Sequence, residues 1–229
     1  PPRSTLFPYT TLFRSEVVLG YGGYLSERGL LNKLIRFDTM LIAMNYFGFT
    51  LIRKPYMGVG RNLAYKRSLF FKNRGFASHS QLDSGDDDLF IREVANKANT
   101  AIEFRHEAHT LSVPRKTLSN WIRQKRRHTS TSKYYNSGIK LLLGLEPFSR
   151  LLFFLSSLVL IALLYFPYIV GSVLIVRMIV KLSIIKAVMK KLNEKKILLT
   201  SLLWDFYSLY FYSKLLLLNS VTSKKTKWR

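Results

Sequence analysis

Three adjacent aspartates stand out in a chain that is otherwise strongly basic. Asp86, Asp87 and Asp88 follow Ser84 and Gly85 in a protein with 36 Lys and Arg residues, 13 Asp and Glu residues and a net charge of +23. Adjacent carboxylates repel one another, so a fold keeps them only where something uses them or disperses their charge. At the start of a helix, one or two acids suffice to favour the helix dipole, by ~0.3–1 kcal/mol each. A third acid therefore indicates chemistry: a general base toward a hydroxyl, or an oxygen ligand to a divalent cation.

A basic stretch, residues 123–128, follows the acidic cluster and reads Arg-Gln-Lys-Arg-Arg-His. Three interpretations stay open for it: a solvated helix end beside a membrane, a nucleic-acid patch, or a clamp on a diphosphate. A single-strand binder interleaves aromatic side chains with its cations, whereas Trp121 stands nearly alone here. We therefore expect no nucleic-acid partner. In the third interpretation, arginine guanidinium groups donate paired hydrogen bonds to phosphate oxygens.

The rest of the composition narrows the classes of site. The chain has no cysteine, which excludes a disulfide framework, a thiolate nucleophile and a Cys-type zinc site. His106 and His109 have i,i+3 spacing, but no third metal ligand is apparent, and a solvated loop is the expectation. The high positive charge favours polyanionic partners such as lipid headgroups, nucleic acid or a nucleotide-diphosphate substrate.

Short strands alternate with helices before residue 147. Hydrophobic patterning and turn residues predict strands at 17–19, 62–65, 100–104 and 110–113. The same signals predict helices at 30–47, 68–72, 86–98 and 117–127, the third with Ser84 as its N-cap. This alternation predicts an α/β domain over 16–146.

The composition becomes apolar at Pro147. Residues 151–176 carry no charge, and the apolar character continues to residue 185 with only Arg177 and Lys181 interrupting it. One span needs ~20 residues, so 147–186 predicts a transmembrane hairpin that turns at Pro167. Residues 187–229 predict a basic loop, a third membrane or interfacial helix at 197–218, and a basic tail. Positive flanks predict that the α/β domain faces the cytoplasm.

The first fifteen residues require a separate explanation. Residues 5–15 read TLFPYTTLFRS, the translation of a common short-read sequencing adapter in which every codon fits. We therefore expect residues 1–15 to be a disordered library artefact joined to a protein whose N-terminal part is missing.

Four segments of the α/β region carry a family resemblance. Residues 62–67 read Asn-Leu-Ala-Tyr-Lys-Arg, Gly75-Phe76 follows, and Gly85 to Leu89 precede Arg92. In this order, they resemble the second half of a membrane-bound bacterial family 2 glycosyltransferase, with its Asn-x-Ala-x-Arg-Arg, Gly-Phe and Glu-Asp-x-Asp-Leu-x-x-Arg motifs. Residues 124–128 are similar to the Gln-x-x-Arg-Trp motif of such enzymes, with His128 in place of Trp. The resemblance covers 17–135.

The resemblance implies a partial GT-A (Rossmann-like) fold followed by C-terminal transmembrane helices. It further implies transfer of a sugar, in a hexosyltransferase-like reaction of cell-envelope polysaccharide synthesis, with inversion. The donor would be a nucleotide-sugar, and the acceptor lipid-linked or a glycan. Matched on Leu89 and Arg92, the motif makes Asp86 the catalytic base and Asp88 the later acid; the other register makes Asp87 the base.

The resemblance also assigns substrate-binding roles. Asn62, Asp88, Gln124, Arg127 and His128 would bind substrate, with Gln124 and Arg127 near the donor diphosphate or the acceptor end. The intact enzyme would use a divalent metal, Mg or Mn, held by an Asp-x-Asp motif that precedes the acidic cluster. Residues 16–82 contain no such motif, so we expect this chain to be inactive and place no metal ligand in it.

The expected location is the inner membrane, multi-pass, with the catalytic domain in the cytoplasm. The alternative function is a non-enzymatic basic membrane protein that binds anionic lipid or nucleic acid through its charge.

Overall fold

The computed structural model describes residues 15–82 and 84–221. Of the adapter-like segment it includes only Ser15, and the basic tail after Val221 lies outside the described residues. The strands are β1 Val17–Gly20, β2 Gly22–Tyr24, β3 Leu63–Tyr65, β4 Thr100–Glu103 and β5 Thr110–Ser112. The helices are α1 Leu30–Leu51, α2 Arg67–Lys72, α3 Asp88–Val94, α4 Leu118–Thr129, α5 Ser137–Ala162, α6 Pro167–Lys191 and α7 Thr200–Val221.

Two small sheets form the centre of the α/β region. In the first, β1 lies in the middle, antiparallel to β3 and parallel to β4, and Val17 pairs with both Tyr65 and Thr100. In the second, β2 and β5 are parallel, with Gly22 opposite Thr110. All residues of β1 and β2 are buried, as the short apolar run of a strand covered on both faces predicts. The mixed α/β architecture expected from the sequence is confirmed.

Helix α1 covers this centre and is itself enclosed by the protein. Residues 35–40 are all buried, so every side of the helix is covered there, and Ala43 and Tyr46 continue the buried face at three-residue spacing. The Tyr46 hydroxyl donates a hydrogen bond of 2.7 Å to the carbonyl of Gly20 at the end of β1. Helix α1 is thereby tied to the strand end from which the chain turns into β2.

Helix α7 packs on this domain through aromatic side chains. The indole of Trp121 on α4 stacks on the ring of Phe211, with centroids 5.0 Å apart and planes 10° apart. Trp204 lies between Phe37 and Trp121, with ring centroids 6.4 and 6.1 Å away. The third apolar stretch therefore has one face inside the protein core. Of the two forms left open for it, this favours the interfacial helix.

Polar groups reinforce this packing from the segment between α6 and α7. Glu194 accepts a 2.9 Å hydrogen bond from Arg36 Nε on α1 and a 2.7 Å bond from the Tyr21 hydroxyl. All three side chains are buried. A buried carboxylate is tolerated when cationic and hydroxyl donors replace its water. This contact holds the end of α6 against the sheet.

Helices α5 and α6 form a hairpin that projects from the domain. Among the described residues, these two helices are long and apolar enough to cross a membrane. The turn between them ends at Pro167, the first residue of α6, where a proline costs no helical hydrogen bond. Helix α5 begins at Ser137 and runs through Pro147, so the change of composition at Pro147 does not coincide with a break in the helix.

The helix expected at 86–98 is shorter, and Ser84 is not its N-cap. Helix α3 begins at Asp88 because the Asp87 carboxylate accepts a hydrogen bond from the Asp88 amide. It ends at Val94 because side chains of the following loop bond to the backbone. Asn96 Oδ1 accepts from the Asn99 amide, and Asn99 Oδ1 accepts from the Asn96 amide. Such local bonds compete with a continuing helix.

Replacing Trp121 by alanine should destabilise the domain. Trp121 is 1% exposed, and removing a buried tryptophan costs ~3–5 kcal/mol. The control is Leu118→Ala on the same helix, where the side chain is 47% exposed and a change within about 0.5 kcal/mol is expected. Denaturant unfolding of the detergent-solubilised chain, followed by far-ultraviolet circular dichroism, measures both. Equal losses in the two variants would contradict the packing of α7 on α4.

Candidate functional site

The three adjacent aspartates have different environments. Asp86 is exposed, Asp87 is half-buried and Asp88 is 6% exposed. Among the described residues, no side chain or backbone group hydrogen-bonds to the Asp86 carboxylate. Of the three aspartates, Asp86 alone is exposed to solvent with both carboxylate oxygens accessible to a ligand.

Asp87 holds two backbone segments together. Its Oδ2 accepts a 2.8 Å hydrogen bond from the Gly60 amide, and its Oδ1 accepts a 2.9 Å bond from the Asp88 amide. Gly60 opens the 3-10 turn that leads into β3. An added Cβ at Gly60 would lie 3.3 Å from the Asp87 side chain, so the approach depends on this glycine. Asp87 thus fixes the acidic turn against the segment that carries Asn62.

Asp88 is enclosed in a hydrogen-bonding network. Its Oδ2 accepts bonds from the Thr131 hydroxyl at 2.6 Å and the Tyr135 hydroxyl at 2.7 Å, while Oδ1 accepts from the Leu89 amide. Burial raises the pKa of Asp88, and the bonds from Thr131 and Tyr135 oppose that rise. This arrangement anchors the segment after α4 to the start of α3. A substrate-binding role for Asp88 stays a prediction, and its enclosure argues for a structural one.

Gly85 sets the direction of the turn before these acids. Its φ of +117° is a conformation that L side chains rarely adopt. A Cβ there would also lie 2.5 Å from Leu89. The backbone at residue 85 therefore favours glycine and leaves no room for a side chain.

Helix α4 presents its polar side chains beside the acidic turn. Thr117 caps the helix through a 3.3 Å bond from the Asn120 amide. Gln124 Nε2 donates to the Tyr24 hydroxyl at 3.2 Å, while the side chains of Arg127 and His128 are exposed. Within the described part of the chain, the Arg127 guanidinium has no hydrogen-bond or ion-pair partner. The basic stretch therefore offers a donor fork that the protein leaves unused.

His128 connects the basic helix with the acidic turn electrostatically. Its pKa is lowered to about 4, first by desolvation and then by the charges of Lys125, Arg127 and Arg61, while Asp86 opposes the shift. His128 is exposed, so water screens part of this effect. Because the pKa is lowered, the imidazole is neutral at pH 7. The Asp86 carboxylate and the cations of α4 are thus within electrostatic range of one imidazole.

Arg61 completes this basic surface and was not identified from the sequence. Its guanidinium lies over the Tyr24 ring, 4.2 Å from the centroid. Its Nη1 is buried without a hydrogen-bond partner in the described structure. A stacked guanidinium is a suitable donor for a planar or phosphate oxygen group. The sequence signal that could have identified Arg61 was its position between Gly60 and Asn62, the first residue of the Asn-x-Ala-x-Arg-Arg-like segment.

Asn62 supports the site from inside the protein. Its side chain is buried and donates to the carbonyls of Tyr21 at 2.9 Å and Ala108 at 2.7 Å. It also packs against Gly20, where a Cβ would approach within 2.5 Å. The structure therefore places Asn62 as a link between the two sheets. Direct binding of substrate by Asn62 stays a prediction.

The possible metal ligands among the described residues are scattered. They contain no group of three or more His, Asp and Glu side chains close enough to hold a metal. The carboxylates of Asp87 and Asp88 already accept backbone and side-chain hydrogen bonds, while Asp86 is open. His106 and His109 have ring centroids 5.4 Å apart, and His109 Nε2 bonds to the Phe104 carbonyl. No chemical step below depends on a metal.

Comparisons with family models, with curated proteins and with solved structures give no match to this chain.

The burial of Asp88 predicts a specific pH dependence of stability. Because its pKa in the folded protein is raised above the ordinary value of 3.8, the folded state retains this proton where the unfolded state has lost it. Stability from this group is therefore complete below pH 3.8 and declines as the pH rises through the folded pKa. Asp88→Asn removes this decline, so its stability relative to the parent should increase from pH 4 to pH 7.

Thermal unfolding of Asp88→Asn and of the parent across that pH range measures the difference in their stability. The other carboxylates are the same in both proteins, so their contributions cancel. Tyr135→Phe is the matched variant, since it removes one bond that opposes the raised pKa. It should extend the decline to higher pH. A difference between Asp88→Asn and parent that does not change with pH would contradict the buried environment of Asp88.

Proposed function

We propose that this chain is the acceptor-side half of an inverting glycosyltransferase with a GT-A fold. The observation that carries the proposal is that the open carboxylate of Asp86 and the guanidinium groups of Arg127 and Arg61 all act electrostatically on one imidazole, that of His128. Among the described residues, the Arg127 guanidinium has no hydrogen-bond or ion-pair partner, and Arg61 is stacked on Tyr24. A sugar transfer from a nucleotide-sugar needs these two functions side by side: a base for the acceptor hydroxyl and cations for the departing diphosphate.

Asp86 would act as the general base. It would accept the proton of the acceptor hydroxyl as that oxygen bonds to the anomeric carbon of the donor sugar. The bond from this carbon to the diphosphate breaks at the same time, and the nucleoside diphosphate leaves with the electron pair. Attack opposite the leaving group inverts the anomeric carbon. Of the two candidates, Asp86 is favoured over Asp87 because the Asp87 oxygens are engaged with Gly60 and Asp88 amides.

Arg127 and Arg61 would stabilise the leaving diphosphate. Guanidinium groups donate paired, charge-assisted hydrogen bonds to phosphate oxygens. Gln124 Nε2 donates to the Tyr24 hydroxyl at 3.2 Å, and Arg61 lies over the ring of the same tyrosine. Tyr24 therefore positions both Gln124 and Arg61. His128, neutral at pH 7, would offer a ring face or a single N–H at the position where the family has tryptophan.

The hairpin would keep the enzyme at its acceptor. A lipid-linked or glycan acceptor at the membrane suits a catalytic domain whose C-terminal part contains two helices long and apolar enough to cross a bilayer. Both ends of a hairpin lie on one side, so the α/β domain and α7 would share the cytoplasmic face of the inner membrane, where nucleotide-sugars are made. The Mg or Mn ion implied by the resemblance would be held by residues outside those described.

Asp86→Asn in the enzyme extended upstream in its natural reading frame should reduce sugar transfer by about 10²–10⁴-fold, since a general base contributes that factor. Membrane association should be unchanged. The control is Glu27→Gln, an exposed acid at the end of β2, with full activity expected. The 229-residue chain itself should show no transfer. If Asp86→Asn retains function and the basic surface still binds anionic lipid or nucleic acid, the protein is the non-enzymatic binder instead.

Arg127→Gln in the same enzyme should weaken binding of the nucleoside diphosphate product by roughly 10- to 100-fold, because a hydrogen bond to a charged group contributes ~1.5–3 kcal/mol. Arg123→Gln is the matched control, since it removes an equal charge from an exposed position of the same helix. Calorimetric titration with the diphosphate measures both. Equal weakening would show that net charge alone is responsible, and the diphosphate role of Arg127 would be withdrawn.

A further inference from the structure

The level at which the hairpin meets the domain is fixed by a cluster of charges. Asp205 on α7 accepts hydrogen bonds from Arg150 Nη1 on α5 at 3.2 Å and from Arg177 Nη1 on α6 at 3.0 Å. Lys181 Nζ lies 2.7 Å from the same carboxylate. Glu146 also pairs with Arg150, at 3.3 Å, so three cations and two acids leave one net positive charge at this level. Asp205 therefore locks both arms of the hairpin to α7.

Helix α7 cannot lie deep in a bilayer at this point. The residue before Asp205, Trp204, contacts Phe37 and Trp121 in the domain core. Helix α4, which carries Trp121, also carries Lys125 and the exposed Arg127. Moving Asp205 toward the middle of a bilayer would bring these charged groups into hydrocarbon, at a cost of several kcal/mol for each uncompensated ion. The Asp205 cluster must therefore lie at or above the headgroup level.

The part of the hairpin beyond the cluster is short. From Leu151 to Ala162 helix α5 rises about 18 Å, and from Pro167 to Val176 helix α6 rises about 15 Å, at 1.5 Å per residue. The hydrocarbon core of a bilayer is ~30 Å thick. Closer to the domain, Ile185 of α6 is buried in the protein core, while Met178, Ile179, Val180 and Ile184 are 42–56% exposed. The part of the hairpin beyond the cluster is about half as long as the hydrocarbon core is thick.

The tip of the hairpin is suited to hydrocarbon. It consists of Leu163, Leu164, Tyr165 and Phe166, each at least 59% exposed. Leu164 and Phe166 adopt positive φ values of 54° and 46°, where glycine or asparagine is the usual choice. A water-exposed turn gains nothing from apolar side chains at such positions. Their presence indicates contact with lipid.

The backbone of the tip satisfies much of its own hydrogen bonding. The amides of Leu163, Leu164 and Tyr165 donate to carbonyls of the last turn of α5, at 2.9, 3.0 and 2.9 Å. The Phe166 carbonyl accepts from the amides of Ile169 and Val170, and Pro167 has no amide hydrogen. Unsatisfied backbone groups are what exclude irregular turns from a membrane interior. These bonds remove that penalty for three amides and one carbonyl of the tip.

We propose that the hairpin inserts into a single leaflet and does not cross the bilayer. Residues 151–176 occupy the acyl chains, the tip reaches the bilayer midplane, and the ion-paired cluster around Asp205 lies at the level of the headgroups. The exposed apolar face of α7, which includes Leu203, Phe206 and Tyr210, lies along the same surface. Under this proposal the hairpin is a monotopic anchor, whereas the length and composition of α5 and α6 alone fit the two-span hairpin expected from the sequence. This inference is independent of the proposed sugar transfer.

Single cysteines test the depth cleanly, because the chain contains none. The tip variants are Tyr168→Cys, at a side chain 91% exposed, and Leu164→Cys, at one 77% exposed. The base control is Ser149→Cys, which is exposed beside Arg150. In sealed inner-membrane vesicles of both orientations, a membrane-impermeant maleimide should label the base from the cytoplasmic side only. The tip cysteines should be labelled from neither side until detergent is added.

A depth measurement separates a midplane tip from one buried at the far interface. An environment-sensitive fluorophore on the tip cysteine should be quenched most by lipids brominated near the end of the acyl chain. Labelling of the tip from the periplasmic side, or strongest quenching by a far-leaflet headgroup quencher, would establish a transmembrane hairpin and overturn the proposal. Labelling from the cytoplasmic side would overturn it as well, because the tip would then lie in water.

Discussion

The buried carboxylate of Asp38 is the contact on which the rest of the structure depends. It lies on α1, forms an ion pair with Lys125 on α4 and accepts a hydrogen bond from the Tyr212 hydroxyl on α7. Asp38 is 1% exposed, so the three groups must stay together. Removing one partner from such a pair leaves an uncompensated buried charge, at a cost of ~3–5 kcal/mol. Three helices distant in sequence are thereby fixed in one relative orientation.

The orientation of α4 determines what its basic stretch can do. Lys125 and Trp121 are directed inward, to Asp38 and to the rings of α7. Gln124 and His128 lie at the neighbouring helical positions, and Arg127 follows on the side away from Trp121. Arg126 is bound to α7 through Asn219 at 3.2 Å. Lys125 and Arg126 of the basic stretch therefore stabilise the fold, while Arg127 stays on the surface. Because α7 binds Arg126 through Asn219 and packs on Trp121, it helps to position the side chains of α4.

Much of the α/β region follows from the sequence, because its signals are local. The strands β1 and β4 and the helices α1 and α4 were predicted from periodicity and turn residues, whereas the role of Thr117 as the N-cap of α4 comes from the structure. The end of α3 was not, since it depends on reciprocal bonds between Asn96 and Asn99 that periodicity does not report. The composition predicts the hairpin. It does not predict the start of α5 at Ser137, because Lys140, Glu146 and Pro147 interrupt the apolar pattern. The role of α7 depends on Trp121 and Phe37, which are far away in the chain.

The candidate site shows the same division between local and tertiary information. Sequence alone singles out Asp86, Asp87 and Asp88 as a cluster, and the family resemblance separates their roles only by the choice of motif register. Their partners come from elsewhere: Gly60 for Asp87, and Thr131 with Tyr135 for Asp88. Two of the three charges are thus absorbed by the fold, which answers how a chain keeps three adjacent carboxylates. The absorbed pair fixes the backbone of the turn, and the remaining carboxylate of Asp86 stays exposed, within electrostatic range of the His128 imidazole on α4.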